Sequence, residues 1–444
     1  MGKYQAYPEY KDLGVEWLGR VPVSWELAKL KNKTTRVGDG LHSTPKYGER
    51  TGFYFVNGNN LVNGKIALTS SAKEVPEDEY LKHLVKLDHK SVLLSINGTI
   101  GNVARYNSEP IILGKSAAYI NCSCDLLPEF LMYYLQSGEI QRYFDLEVTG
   151  TTISNLSLNS IKQLQVCMPN ESEQAQIANF LDHETAKIDT LIEKQQQLIK
   201  LLKEKRQTVI SHAVTKGLNP QGPMKYSGVE WLGEVPAHWI ASTLKHYSEV
   251  IDCKHITAEF FDDGIPLASI SEVKKWFVDL STAKYTSEKY YNELIGGGRE
   301  PKVGDIIYSR NATVGEAAIV SEGLPPFAMG QDVCLIRLSN GLLPLFAMYV
   351  LHSGVISQQL ELAMVGSTFK RINVDNIRNF AFVIPPLSEQ VLIVSELEAL
   401  TSKYDVLINN ATNAIELMKE RRTALISAAV TGKIDVRNWR QPND

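Results

Sequence analysis

The chain sets out nearly the same order of residues twice, at a separation the size of a domain. Gly14-Val15-Glu16-Trp17-Leu18-Gly19-Arg20-Val21-Pro22-Val23-Ser24-Trp25 returns as Gly228-Val229-Glu230-Trp231-Leu232-Gly233-Glu234-Val235-Pro236-Ala237-His238-Trp239. With only 6 Trp in 444 residues, two at matched spacing beside matched Gly and Pro are no accident. Ser95-Ile96-Asn97-Gly98-Thr99-Ile100-Gly101 answers Ser309-Arg310-Asn311-Ala312-Thr313-Val314-Gly315. Ser172-Glu173-Gln174 pairs with Ser388-Glu389-Gln390, and Ile210-Ser211-His212-Ala213-Val214-Thr215 with Ile426-Ser427-Ala428-Ala429-Val430-Thr431. The offset moves only from 214 to 216. A period this long describes a duplicated domain-sized unit, not a solenoid. Two similar units imply two similar jobs.

Each repeat has two textures. The first is strand-rich and broken by Gly, Asn and Pro: Ser91-Val92-Leu93-Leu94-Ser95 reads as a strand entering the Asn97-Gly98 turn, with Asp305-Ile306-Ile307-Tyr308-Ser309 as its counterpart. A helix is expected from Pro128 to about Phe144, and strands at Leu164–Met168 and Phe380–Ile384. The second texture, from about Glu171 to Thr215, has no Pro or Gly. Leu181, Ile188, Gln195, Leu202 and Val209 fall on a seven-residue step there, and Leu397, Tyr404, Ala411, Met418 and Leu425 repeat it. Each stretch predicts a helix about 60 Å long, with an apolar seam that needs a partner helix. The economical arrangement packs the two against each other; the alternative folds each back on its own domain. Gln195 and Ala411 are weak knobs, so a loosely packed middle is expected.

The fold class is therefore α+β. Two similar mixed α/β domains are separated by two long helices packed as an antiparallel coiled coil, with internal pseudo-twofold symmetry. The boundaries are residues 1–170 for the first domain, 171–217 for the central helix, 218–386 for the second domain, 387–434 for the C-terminal helix and 435–444 for a tail.

Composition excludes several classes. No apolar run reaches the roughly 18 residues of a membrane span, and Met1-Gly2-Lys3-Tyr4 does not open a signal peptide. The five cysteines show no CxxC; Cys122 and Cys124, two apart in an apolar stretch, suit one face of a buried strand better than a metal or redox site, in a reducing cytoplasm. No GxxxxGK[ST] is present, and Gly296-Gly297-Gly298 lacks the spacing of a nucleotide-binding signature. Leu324-Pro325-Pro326-Phe327 has Leu where an amino-methyltransferase needs a hydrogen-bonding side chain. Neither catalytic nor metal-ligating residues are assigned.

A net charge of -4 does not mark a strongly basic nucleic-acid binder, so any such role rests on local charge. Between Lys31 and Lys65 six basic residues stand against two acidic ones, whereas the equivalent stretch with Glu259, Asp262, Asp263 and Glu272 is not basic. Side chains that pair with base edges gather in the loops. The first repeat offers Arg36, His42, Ser43, Thr44, Lys46, Tyr47, Asn57, Asn59, Asn60, Asn97 and Thr99. The second offers Lys254, His255, Thr257, Ser269, Ser271, Arg310, Asn311, Lys370 and Arg371. Matched scaffolds carrying unmatched polar loops are what two readers of different sequences require.

Taken together, the doubled Gly-Val-Glu-Trp-Leu-Gly with Val-Pro-x-x-Trp, the doubled Asn-x-Thr-x-Gly, Ile384-Pro385-Pro386-Leu387-Ser388-Glu389-Gln390 and the closing Ile426-Ser427-Ala428-Ala429-Val430-Thr431-Gly432-Lys433-Ile434 resemble the specificity subunit of Type I restriction-modification systems. The first repeat departs from the pattern at Met168-Pro169-Asn170-Glu171, where a single Pro replaces the pair. The resemblance implies a non-catalytic chain whose two target recognition domains each read one part of a split, asymmetric double-stranded DNA site, with the helices as a ruler. It implies two docked modification (methyltransferase) subunits that bring S-adenosylmethionine, and restriction subunits that use ATP and magnesium. This chain itself then binds no cofactor. A stand-alone methyltransferase or endonuclease and a coiled-coil scaffold without DNA readout are the rival readings.

Overall fold

Consecutive apolar residues at Ser91–Ser95 and Ala117–Cys122 leave both strands no solvent-facing side, and both are buried along their whole length. In the computed structural model, which describes residues 4–15, 17–69, 71–148, 154–364 and 371–441, they lie at the middle of an antiparallel sheet. Its order is Val103–Arg105, Ser91–Ser95, Ala117–Cys122, Thr34–Asp39. Strand alternation sorts the side chains by face. Val92, Leu94, Ala118 and Ile120 join a core with Trp25, Phe130 and Tyr134. Leu93, Ala117 and Tyr119 join a smaller core with Val56, Leu61 and Leu113. That smaller core sits under a three-stranded sheet in which Tyr54–Val56 pairs parallel with Ile111–Leu113 and antiparallel with Lys73–Glu74.

The second repeat builds the same layers. Ser248–Asp252, Val333–Leu338, Ile306–Ser309 and Ala317–Ile319 form the four-stranded sheet. Ile306, Tyr308, Cys334 and Ile336 face the core of Trp239 and Phe346, whereas Ile307, Leu335 and Val333 face the smaller core. Ile265–Ala268 pairs parallel with Ala328–Met329 and antiparallel with Lys284–Thr286.

The long helices run from Glu171 to Lys216 and from Leu387 to Val430. Compact units do not coincide with sequence repeats. One unit comprises Met1–Gln196 with Asn413–Asp444, the other Gln197–Thr412, so the division falls inside both helices. Within the first unit the helix segments run antiparallel: Arg422 Nε donates to Asp189 Oδ1 at 2.9 Å, and further along the pair Gln196 and Lys419 line one cleft. The symmetric pair in the second unit is Arg206 with Asp405, at 3.1 Å. These ion pairs are partly exposed and contribute at most about 1 kcal/mol each, so they specify register more than stability. Leu181, Ile188, Leu397 and Ala411 are buried, and Gln195, Leu202, Val209, Tyr404, Met418 and Leu425 are half-buried.

The Ser-Glu-Gln triplet ties each helix to its domain. Gln174 Oε1 accepts the Leu127 N–H at 2.9 Å, and its Nε2 donates to the carbonyls of Asp125 and Pro169. Gln390 repeats this with the Leu343 N–H at 2.8 Å and the carbonyls of Gly341 and Pro385. Glu173 accepts from the Trp25 indole at 3.1 Å and from the Tyr7 hydroxyl at 2.6 Å. Burial, and then the Glu173 carboxylate, push the Tyr7 phenol well above its ordinary range. Glu389 accepts from the Trp239 indole at 2.9 Å. The departure at the single Pro is absorbed locally: Asn170 Oδ1 accepts the Glu173 N–H as a side-chain cap, where the second helix uses the Pro386 carbonyl for Glu389.

The expected helix from Pro128 to Phe144 is two helices, Pro128–Gln136 and Gly138–Glu147. Ser137 Oγ donates back to the Tyr134 carbonyl, and the Gly138 N–H leaves the helical ladder to donate to Ser427 Oγ at 2.8 Å. In the second unit the Gly354 N–H donates to Ser211 Oγ at 2.8 Å. The last turn of each long helix thus closes the domain of the other repeat.

Replacing Gln390 with Ala leaves one buried N–H and two carbonyls without partners. The expected loss is about 3 kcal/mol of the second unit's stability, read from urea unfolding. Leu387→Ala, at an exposed position one turn earlier, should shift the midpoint by less than about 0.5 kcal/mol.

Candidate nucleic-acid interface

In each unit a polar loop leaves the edge of the four-stranded sheet and returns through the three-stranded one. In the first it follows Thr34–Asp39 and carries His42, Ser43, Thr44, Lys46 and Tyr47, all exposed, with Arg36 exposed on the strand itself. Arg36 stands 5.6 Å from the ring centre of Tyr119, and His42 Nε2 lies 2.8 Å from Asp39 Oδ2. Exposed Asn59 lies in the 3-10 turn Gly58–Asn60. Of the local positive charge, Lys33 is already paired with Asp125, which it holds below the ordinary carboxylate range. Lys31, Lys46, Arg50 and Lys65 remain exposed.

Two of the first unit's candidates serve the scaffold. Asn60 is 1% exposed; its Oδ1 accepts the Asn57 N–H at 2.9 Å and its Nδ2 donates to Ser71 Oγ. Asn57 closes the reciprocal cap and accepts from Ser116 Oγ at 3.0 Å. The Asn60 amide and the Asn57 side-chain oxygen are thus engaged inside the loop, and Asn60 is not placed to read a base.

The Asn-x-Thr-x-Gly turns are wired alike. Ser95 and Thr99 hydroxyls lie 3.3 Å apart, Ser309 and Thr313 hydroxyls 3.4 Å. Gly98 sits at φ +74° and its counterpart Ala312 at +55°, a left-handed conformation that costs a residue with a Cβ. Asn97 is half-buried against Asn155, and Thr99 is exposed.

In the second unit His255 and Thr257 are exposed and Lys254 half-buried. Ser271 is exposed but donates to Glu272, and Ser269 caps the short turn Ile270–Val273 reciprocally with that same Glu272. Arg371 is exposed beside Asn311, whose Nδ2 donates to Asp332 Oδ1 at 3.0 Å. Lys370 lies outside the described residues. Arg310 is 4% exposed, with Nη2 2.6 Å from Asp252 Oδ1, so it braces the start of the loop from inside and is not a surface reader.

Asp252, Cys253 and His255 bring possible metal-ligand atoms within 4.8 Å of one another. The site argues against a cation, because the Arg310 guanidinium already occupies it, 3.6 Å from Cys253 Sγ. Burial, and then Asp252, push the Cys253 thiol up to about 11, away from the thiolate a metal would need.

Strand register reveals a second repeat that direct sequence comparison passes over. Ala118 sits opposite both Leu94 and Asp39; Cys334 sits opposite both Tyr308 and Asp252. Since Leu94 corresponds to Tyr308, Asp39 corresponds to Asp252. From there Asp39, His42, Thr44 and Tyr47 align with Asp252, His255, Thr257 and Phe260. The offset here is 213, one less than that of the flanking motifs, and this hides the match. Lys73 and Lys284 stand on the edge strands of the three-stranded sheets, outside the polar loops that the sequence marks.

Asn60→Ala is expected to cost about 1–2 kcal/mol, because a buried polar cluster loses its centre, whereas Asn59→Ala stays within about 0.5 kcal/mol. Thermal unfolding of the two variants makes the comparison.

The matching family model, described as the Type I restriction modification DNA specificity domain, covers residues 26–201 and again 264–417. The putative type I restriction enzyme MjaX specificity subunit of Methanocaldococcus jannaschii is 23% identical over 436 residues, spanning 95% of this chain and 96% of that protein. The type I restriction enzyme EcoKI specificity subunit of Escherichia coli K12 is 22% identical over 454 residues, spanning 96% and 92%. A chain solved in work on complex assembly and conformational transition of the type I R-M system superposes with a TM-score of 0.70 at 17% identity, over 92% of this chain and 98% of that one. The HsdS subunit from Thermoanaerobacter tengcongensis gives 0.52 at 17% identity, over 93% and 98%. These structures share the fold, and the family match falls on both repeats: the chain belongs to the Type I restriction modification DNA specificity family.

Proposed function

We propose that this chain is the non-catalytic specificity subunit of a Type I restriction-modification complex, in which each unit reads one part of a split double-stranded DNA site. The observation that carries this reading is the agreement of the two units in their four-stranded and three-stranded sheets, combined with differences in loop side chains. Ser43 stands where the second loop has Ile256, and Lys46 where it has Glu259. Side chains of opposite charge on one frame suit different base edges, so the two parts of the site differ in sequence.

The duplicated frame also suits two copies of one partner, since a surface presented twice is engaged twice. Two modification subunits then dock, bring S-adenosylmethionine and methylate adenines; restriction subunits join with ATP and magnesium. The long helices set the gap between the two parts of the site. Among the described residues no helix is long and apolar enough to cross a membrane, and a cytoplasmic complex is the setting of this reading.

Single-molecule sequencing of the host genome should map methylated adenines to two short fixed sequences separated by a gap of constant length. Exchanging residues 34–60 with those of a relative should alter one part and leave the other. An unchanged methylome would count against the loop, methylation by the purified chain alone would favour an enzyme, and absence of sequence-dependent binding with partners present would favour a scaffold.

A chain truncated after Gly217 lacks Ser427, which the Gly138 N–H needs. A second copy carries Ser211 at the corresponding place. The half-subunit is therefore expected to dimerise and to direct methylation to a twofold-symmetric site, checked by light scattering and methylome mapping. A monomeric half that builds no methylating complex would defeat the picture.

A further inference from the structure

Beyond the exposed His42/His255 and Thr44/Thr257 positions, the equivalent loops share an exposed pairing of a lysine with an aromatic ring. Lys73 Nζ lies 4.4 Å from the ring centre of Tyr47, and Lys284 Nζ lies 4.5 Å from that of Phe260. Tyr47 is 46% exposed and Phe260 52%, and both lysines are exposed. Their positions correspond in two independent ways. Tyr47 and Phe260 stand eight residues beyond the equivalent Asp39 and Asp252. Lys73 sits opposite Phe55, and Lys284 opposite Leu267, in the matching antiparallel pairs of the three-stranded sheets.

One backbone hydrogen bond recurs in both units, and different side-chain bonds support it. In the first unit the Gly48 N–H donates to the Glu74 carbonyl at 2.9 Å, and the Glu74 carboxylate accepts the Thr51 and Gly52 N–H groups. Those donors, Thr51 first, hold the Glu74 carboxyl below its ordinary range. In the second unit the Phe261 N–H donates to the Tyr285 carbonyl at 3.0 Å, and Thr286 Oγ1 donates to the Glu259 carbonyl at 2.9 Å. In both units the N–H of the residue after the ring thus donates to the carbonyl of the residue after the lysine, and this shared backbone bond delivers an ammonium onto an aromatic face at one place in the fold. Among the described residues no carboxylate pairs with either lysine. The ring covers one side of each ammonium and leaves its remaining N–H donors toward solvent, while restricting the side chain.

We infer that Tyr47 with Lys73, and Phe260 with Lys284, are a pair of equivalent phosphate anchors that grip the DNA backbone at each part of the site without reading sequence. This role presupposes the DNA reading proposed above. If the two units face different base sequences, a feature they share addresses what those sequences have in common, and that is the phosphodiester backbone. Discrimination is left to the neighbours that differ.

The test uses the full chain assembled with its modification subunits, a duplex bearing the mapped site and a scrambled duplex. Lys73→Ala and Lys284→Ala should each weaken binding to both duplexes by the same factor, about eightfold near 0.1 M salt, and lower the salt slope by about 0.9. The methylated sequence should stay unchanged, and Lys73→Arg should restore binding. Loss confined to the site-bearing duplex would make the lysine a base reader and overturn the inference. Undiminished binding to both duplexes would overturn it too. A wild-type complex that fails to prefer its own site would instead overturn the proposed function, so the two failures are distinct.

Discussion

The architecture depends on one glutamine used twice. Gln174 and Gln390 each stand at the start of a helix more than forty residues long and satisfy three backbone groups of the domain before it. A primary amide suits the position because it offers an acceptor and two donors in one plane. A carboxylate would present acceptors to two carbonyls. The preceding Glu173 and Glu389 add the indole N–H of a fully buried Trp. The direction in which each helix leaves is thereby set by buried hydrogen bonds, which tolerate little angular error. Everything farther along the helix inherits that direction.

The duplication, the strand-rich domains and the two long helices were legible because each is a periodic or repeated signal. The break at Ser137 was not, since a helix through Gly138 is locally acceptable and its interruption depends on Ser427, far along the chain. The candidate interface was legible in location more than in detail. His42, Thr44, Tyr47 and Asn59 reach the surface, but Asn60 and Arg310 turn inward because the loops need internal donors and a buried brace. A polar residue in a turn looks the same in sequence whether it holds the turn or projects from it. The lysines at 73 and 284 escaped notice for a simpler reason: differing loop lengths put their correspondence out of step.

Agreement and difference between the two units follow a division of labour. Buried hydrogen bonds, sheet order and the Ser211 and Ser427 hooks recur because they carry the frame. Loop side chains such as Ser43 against Ile256 and Lys46 against Glu259 diverge because nothing in the frame constrains them. The internal wiring of the Ser-x-Asn-x-Thr-x-Gly turns lies between these extremes. It is repeated closely enough to hold a turn, and it leaves Thr99 exposed beside it.

The division of each long helix between two compact units has a consequence for biosynthesis. The second unit is one continuous stretch, Gln197–Thr412, and has all its parts once that stretch has been translated. The first unit waits. Ser427 against Gly138, Lys433 against Glu139, the Gly432 carbonyl against Tyr10 and Trp439 against Phe180 all join residues 427–439 to positions that precede the second unit. Of the two units, the one begun earlier is therefore the one completed later. Its exposed sheet and helix face must be kept from other chains throughout elongation, a burden of vectorial synthesis that the second unit does not share.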